Sequence, residues 1–359
     1  MHELIERIEN AVGQIKGLEE KREKLALFLR EAREKVFFSG DVLERDMIHI
    51  VGKTDLEGKI VAGVDGGLSQ HAYHGVDLIL TRAVAAIFRY GPRISVDYFP
   101  SSIPAPKLIV LSDPYSDDDF VVSSSLERQG GEIEVALKVA EKIKPDVILM
   151  DGSIVPHGSD KPSKNSPAWE RYQKVFENFR KLYSVEPLVA GCVEDSRGRR
   201  FCEIISEQVL SRVDDPKTEE LKKVLEGTRD TNLLFHLLKT GERSFIFRYS
   251  KDSENHPVLS DLWEWGDKIY SFYIKTAEFD RPVRVDFVSS SPEKDANKIA
   301  EIVLATACHS SYGIPAPIIE ADLRAKLEEK DVLDVHGQLV DKLGIVPSLM
   351  KLRRDQRPF

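Results

Sequence analysis

KIVAGVDGG, residues 59–67, and DVILMDGS, residues 146–153, are the two stretches on which the reading of the fold turns. The first has the look of a short buried strand that ends in a Gly-rich turn. The second is apolar on consecutive positions, as a parallel strand covered on both faces requires. Between them, VDLILTRAVAAIFRYG (76–91), RISVDYFP (93–100) and KLIVLSDP (107–114) read as three more strands, with Gly91–Pro92 as a hairpin turn. A helix is expected over Ser124–Ile143, stopped at Lys144–Pro145, because the residue before proline is driven out of the helical region. Early antiparallel strands, then a helix, then a parallel strand define an α/β protein with a mixed central sheet.

Working outward, PHGSDKPSKNSPAW is a polar loop, and residues 169–183 form a helix leading into the strand PLVAGCVED. Helices follow to about residue 240. ERSFIFRYS, KIYSFYIKT and PVRVDFVSS have strand character, and PEKDANKIAEIVLATACH and PIIEADLRAKLEEK have helical periodicity. At the other end, Leu4, Ile5, Ile8, Val12 and Ile15 recur at three- and four-residue steps, and Leu25, Leu27, Phe28 and Ala32 resume the stripe. Residues 1–45 therefore read as an N-terminal helical arm for dimer or partner contact, and 46–359 as one α/β domain with a helical insertion at about 165–240.

Composition narrows the function. The chain has 359 residues, 42% hydrophobic and 31% charged, which excludes a wholly disordered chain or a collagen-like repeat. No apolar run approaches the roughly 20 residues of a membrane span, and the charged N-terminus is not a signal peptide. Cys192, Cys202 and Cys308 are widely spaced, so reduced thiols, a cytoplasmic location and no structural zinc are expected. Sixty acidic against 51 basic residues give a net charge of −9, which lowers the expectation of a protein held to nucleic acid by overall charge.

The chemistry-bearing residues are carboxylates. Asp65 in GVDGG and Asp151 in MDGS each follow an apolar strand and precede glycine. Neighbouring strand-end carboxylates are hard oxygen ligands suited to Mg²⁺ or Mn²⁺, although Asp-Gly is also ordinary turn chemistry. In GEIEVALKVAEKIK the apolar residues Val135, Ala136, Val139 and Ile143 share a face, and Glu132 lies one turn before the first two. Glu134 and Glu127 fall on the opposite, solvated side. A carboxylate aimed into a sheet needs a cation, so Glu132 is the ligand candidate and Glu134 a surface residue. Asp322 shares a helical side with Ile318, Ile319, Ala325 and Lys326, where it closes a metal site or caps the helix; the residues leave both open. His309 is a further candidate for a ligand or leaving-group contact, weighed against a plain helix-end cap.

GVDGG, the carboxylate helix before LMDGS, and FYIKT–PVRVDF followed by YGIPAPIIEADLRAK together resemble the NurA nucleases of archaea, over about Lys59 to Lys330. The resemblance implies an RNase H-like core, Asp65, Glu132 and Asp151 as ligands of two divalent ions (Mn²⁺, with Mg²⁺ as the alternative), and a C-terminal motif around Asp322. It implies 5′→3′ exonuclease action on single- and double-stranded DNA, endonuclease action on single strands, a homodimer, and a HerA-type hexameric ATPase as partner in DNA-end resection for homologous recombination. AGCVEDSRGRR departs from the pattern near Glu194, where a lysine is expected, so Arg197, Arg199 or Arg200 is assigned the phosphate contact. Along KIYSFYIKT, Tyr273 and Lys275 are candidate DNA contacts, and Phe272 reads as core. An actin-like ATPase or sugar kinase would need a second phosphate hairpin, which HSSYGIPAP and DVHGQL do not supply. A non-catalytic dimeric adaptor of a DNA translocase is the other reading.

Overall fold

A computed structural model of the chain describes residues 1–32, 38, 40–52, 54–113, 115–212, 218–344 and 346–353. The chain divides into two compact units. Unit 1 comprises Met1–Asp55, Cys192–Lys251 and Ile269–Pro315; unit 2 comprises Leu56–Gly191, Asp252–Lys268 and Ala316–Phe359. Both mix helices with a sheet. Among the described residues no helix is long and apolar enough to cross a membrane.

In unit 1 the strands β1 (Ile48–Ile50), β8 (Glu242–Ser244), β10 (Ile269–Ile274) and β11 (Val283–Val288) lie in that order, and β9 (Phe247–Arg248) also pairs with β10. All six residues of β10 are buried, and its aromatic alternation is core packing: Tyr270 and Phe272 both approach Phe287. The helices are α1 (His2–Ala32), α4 (Arg200–Ile204), α5 (Thr218–Glu226), α6 (Asp230–Leu237) and α7 (Pro292–Thr306). The arm of α1 is not a separate body along its whole length. Its last turns bury Leu25, Ala26 and Leu29 among Phe201, Leu233, Leu237 and Phe245. The expected arm, residues 1–45, falls partly outside the described residues.

Unit 2 carries β2 (Ile60–Ala72), β3 (Asp77–Arg89), β4 (Ser95–Phe99), β5 (Lys107–Leu111), β6 (Val147–Asp151) and most of β7 (Leu188–Val193), in the order β7-β6-β2-β3-β4. β4 and β5 share one edge of β3, and β2 pairs antiparallel with β3 but parallel with β6. Its helices are α2 (Asp117–Lys142), α3 (Trp169–Tyr183), α8 (Ala316–Ala325) and α9 (Glu329–Leu343). α2 begins about two turns earlier than expected: Ser116 Oγ accepts the Asp119 N–H as N-cap, and Asp117, Asp118 and Asp119 complement the positive end of the helix. Asp146 fixes the register that matters most. Its carboxylate accepts the Ile60 N–H at 2.9 Å and pairs with Lys59 at 3.1 Å, so the starts of β2 and β6 are locked side by side.

The helices expected as an insertion at about 165–240 divide between the two units. α3 buries Tyr172, Val175, Phe176, Phe179 and Leu182 within unit 2, whereas α4, α5 and α6 pack around α1 in unit 1. An amphipathic period shows that a helix has a buried face and not which partner covers it.

Arg30 of α1 grips Glu242 through two hydrogen bonds of 2.9 Å, and Glu242 also accepts the Lys239 N–H. Burial raises the Glu242 pKa, but these donors outweigh it and leave the group below its ordinary value. The pairing is therefore complete above the unfolded carboxylate pKa and is lost as pH falls through the lower folded value. Glu242→Gln is expected to cost about 2 kcal/mol near neutral pH, and the gap from wild type to close as pH falls below the ordinary carboxylate range and through the lower folded value, as followed by urea unfolding across pH.

Candidate active site

GVDGG does not end a strand. β2 runs unbroken through it to Ala72, every residue from Ile60 to Ala72 opposite a partner in β3. The glycines have another purpose. A Cβ at Gly63 or Gly67 would collide with the backbone carbonyls of Pro317 or Ala325 in α8, and one at Gly66 would stand 2.5 Å from Glu132 Oε1 of α2. Three bare positions around Asp65 thus let one helix seat its backbone against the strand and another deliver a carboxylate.

The parallel pairing ends at Val64 with Met150, so the next residues, Asp65 and Asp151, fall side by side. They share a side-chain hydrogen bond. Gly152 follows Asp151 at φ 79°, a left-handed turn that glycine adopts without strain. Glu132 is 6% exposed and Asp65 5% exposed, so both carboxylates are withdrawn from water. Asp322 is exposed but close enough to Asp65 for charge repulsion to raise the Asp65 pKa. It sits at the end of the second turn of α8, which begins at Ala316, so it does not cap the start of that helix. Arg82 bonds the Pro104 and Lys326 carbonyls at 2.8 and 2.9 Å, and Tyr98 donates to Glu320 at 2.6 Å, which fixes α8 against the sheet.

The cluster is electrostatically tense. Burial pushes Asp65 above the ordinary carboxylate range. Glu132 is pushed up to about 8, chiefly by burial, with Asp65 and Asp151 adding to the rise and Arg128 opposing it. Arg128 lies one turn before Glu132 on α2, and its guanidinium donates to the Glu132 carboxylate at 2.5 Å. Sequence reading passed over Arg128, although an i,i+4 basic partner to a buried acid is a legible signal. Among the described residues no three His, Cys, Asp or Glu side chains already stand close enough to hold an ion. What the geometry provides is oxygen donors on neighbouring elements, Asp65 and Asp151 on paired strands and Glu132 on α2, the two buried ones raised chiefly by burial and Glu132 partly relieved by Arg128. Such a set fits a hard divalent cation.

The other predicted residues lie in unit 1. Tyr273 is fully buried, its hydroxyl donating to Asp230 at 2.9 Å and its ring stacked on Phe247, so it offers no face to a base. Lys275 is buried too, bonded to the Asp280 carbonyl at 3.0 Å and lying over the Phe235 ring. Arg199 reaches the Leu225 carbonyl at 3.3 Å, and Arg200 pairs with Asp41 and Glu203. Of the three arginines Arg197 has the exposed side chain. His309 is exposed, and its Nδ1 accepts the Ser311 N–H at 3.1 Å, a local turn contact. In unit 2, Glu134 is exposed as expected, but Glu127 is drawn in to pair with Arg171 at 2.9 Å and Lys107 at 3.1 Å, because α3 and β5 close over that side of α2.

Fold and site define a mixed α/β protein with a buried, strand-borne carboxylate centre. The NurA domain signature matches residues 59–327, and the chain belongs to the NurA family. No curated protein matches it in sequence. Its fold is similar to the crystal structure of the NurA nuclease from Sulfolobus solfataricus, at 16% identity over 95% of this chain and 97% of that one, TM-score 0.58. It is likewise similar to a NurA bound to dAMP and manganese, at 13% identity over 98% and 99%, TM-score 0.56. At these identities the likeness establishes the fold.

Because its folded pKa is raised, Glu132 costs the metal-free protein stability as pH climbs from the unfolded carboxylate value towards about 8. In EDTA, Glu132→Gln is expected to melt higher than wild type by an amount that grows over that window, roughly 2 kcal/mol at its upper end. A lower melting temperature throughout would mean that the Arg128 pairing is structural.

Proposed function

We propose that this chain is a divalent-metal-dependent DNA nuclease. The observation that carries the reading is the convergence of Asp65, Glu132 and Asp151, with Asp322 beside them, at one buried place on a sheet with glycine on both its helix-facing sides. Asp65, Glu132, Asp151 and Asp322 would hold two ions, Mn²⁺ or Mg²⁺. Bound there, the ions would activate water and take up charge on the leaving oxygen of an in-line phosphodiester displacement. Asp65 and Asp151, adjacent on paired strands, set the spacing of the donors. Glu132 completes the set from the other layer, and Arg128 steadies it and offers a cation to the non-bridging phosphate oxygens. His309 is retained as the candidate leaving-group contact and Arg197 as the candidate phosphate contact.

Family membership supports the finer reading: 5′→3′ exonuclease action on single- and double-stranded DNA, endonuclease action on single strands, and work with a HerA-type hexameric ATPase in DNA-end resection for homologous recombination. A homodimer has an observation of its own. Leu4, Ile5, Ile8, Val12, Ile15 and Leu18 of α1 are 43–59% exposed. Ile5, Ile8, Val12 and Ile15 follow a 3-4-3 spacing, an apolar seam of the kind a helix can present to the same helix of a second copy. Ile8→Glu with Ile15→Glu is expected to halve the mass seen by light scattering; an unchanged mass would place the contact elsewhere.

The deciding assay digests 5′- and 3′-labelled single- and double-stranded DNA in Mn²⁺, Mg²⁺ or EDTA, with wild type beside Asp65→Ala and Asp151→Ala. Cutting in metal, none in EDTA and background levels in both variants are expected. Wild-type inactivity in every metal, with or without the ATPase, would leave the adaptor reading.

A further inference from the structure

β2 outruns its own active site. Past Asp65 its pairing with β3 stays continuous to Ala72, so the strand's alternation puts Ser69 and His71 on the same face as Asp65. Six residues of strand set His71 roughly 20 Å from Asp65 along the sheet. There the chain assembles a second group of polar side chains from three distant segments. His336 of α9 stacks on Tyr73 at 5.3 Å with planes 12° apart, and the His71 ring lies 6.5 Å from Tyr73. The segment 348–351 is laced to the turn after β2 by the His74 N–H to the Met350 carbonyl at 2.9 Å, the Gly75 N–H to the Ser348 carbonyl at 3.1 Å, and a bridge between Tyr73 and Lys351.

Two cavities, of about 530 and 490 Å³, flank this place, and His71, Tyr73 and Lys351 line both. His336 lines the second. Burial, with Lys351 and His336 close by, acts against protonation of His71, so that imidazole serves as a neutral donor beside the lysine. The acids nearby are Asp117 on the lip of one cavity and Glu328 and Glu329 on the other. Glu328 is committed: it accepts an N–H of the first turn of α9 as N-cap and pairs with Lys330. Among the described residues neither His71 nor Lys351 forms an ion pair, and Ser69 Oγ lies 3.1 Å from His71 Nε2. A lysine, two imidazoles and a hydroxyl around an open cavity are donors for an anion.

We propose that His71, His336 and Lys351 form a phosphate-binding site that grips the backbone of the DNA strand remote from the carboxylates, on the same strand face as Asp65. The proposal rests on the nuclease reading. A remote grip of this kind orients the strand so that a single phosphodiester lies over the carboxylates, and binding energy taken far from the reacting bond then serves positioning.

The test uses the full chain carrying Asp65→Ala, so that DNA is not consumed, and fluorescence anisotropy of a labelled single-stranded 20-mer, longer than the roughly 4–16 nucleotides that one module covers. Lys351→Ala is expected to weaken binding about tenfold, as for one charge-assisted hydrogen bond, and to reduce the slope of log affinity against log salt by about one. Lys351→Glu should weaken it further, and His71→Gln with His336→Gln should weaken it comparably. Lys174→Ala, on an exposed face of α3, serves as the control and should leave binding unchanged. dAMP as competitor separates the sources of phosphate: displacement of the 20-mer by dAMP in the Lys351 chain but not in Lys351→Ala would make this a mononucleotide site and overturn the backbone assignment. Lys351 is exposed, so its variants are expected to fold, and an unchanged melting temperature confirms it. DNA bound equally well by every variant overturns the site and leaves the nuclease reading standing. DNA neither bound nor cut by the parent chains overturns the nuclease reading itself.

Discussion

Everything in unit 2 depends on a strand that has been stripped of side chains where two layers meet. At Gly63 and Gly67 the backbone carbonyls of α8 sit where a Cβ would be, and at Gly66 the Glu132 carboxylate does. An alanine at these places would force neighbours to move, and backbone neighbours cannot move cheaply. Asp65, set between the bare positions, is thereby enclosed by helices on either side without losing its place in the ladder. The register that makes this useful comes from the far end of the strand, where Asp146 holds Ile60 and Lys59.

Enclosure has an electrostatic consequence. Carboxylates removed from water and placed together resist ionisation, and here the raised values of Asp65 and Glu132 follow from burial first and from mutual repulsion second. Arg128 is the compensation the chain carries for itself, one turn along α2. A cluster tuned for stability alone would hold fewer acids or more bases. Perturbed acids gathered at one place mark a candidate functional site.

The outward parts of both units look different. Aromatic and basic residues that would suit nucleic acid on paper are largely spent on structure: Tyr273, Lys275, Arg199 and Arg200 each complete a buried polar contact in unit 1. Among the described residues the basic side chains left exposed include Arg197 and Lys351.

By itself the sequence determined the mixed α/β class, nearly every strand and the span of α3 to the residue, and it singled out the candidate carboxylates. Those follow from periodicity and from the expense of aiming Glu132 and not Glu134 at a sheet. It did not determine why GVDGG is rich in glycine, because a turn and a close approach of helices leave the same letters. Nor could it tell that α3 and α4–α6 serve different units, that Glu127 would be covered, or that Tyr273 would face inward, since a strand buried on both faces has lost the alternation that distinguishes its sides. Arg128 was within reach of a local reading, one turn from Glu132, whereas the meeting of His71, His336 and Lys351 is a product of tertiary structure in the strict sense. Local propensity acts over a turn or two of chain, whereas which distant side chains share a cavity is settled only when the layers pack.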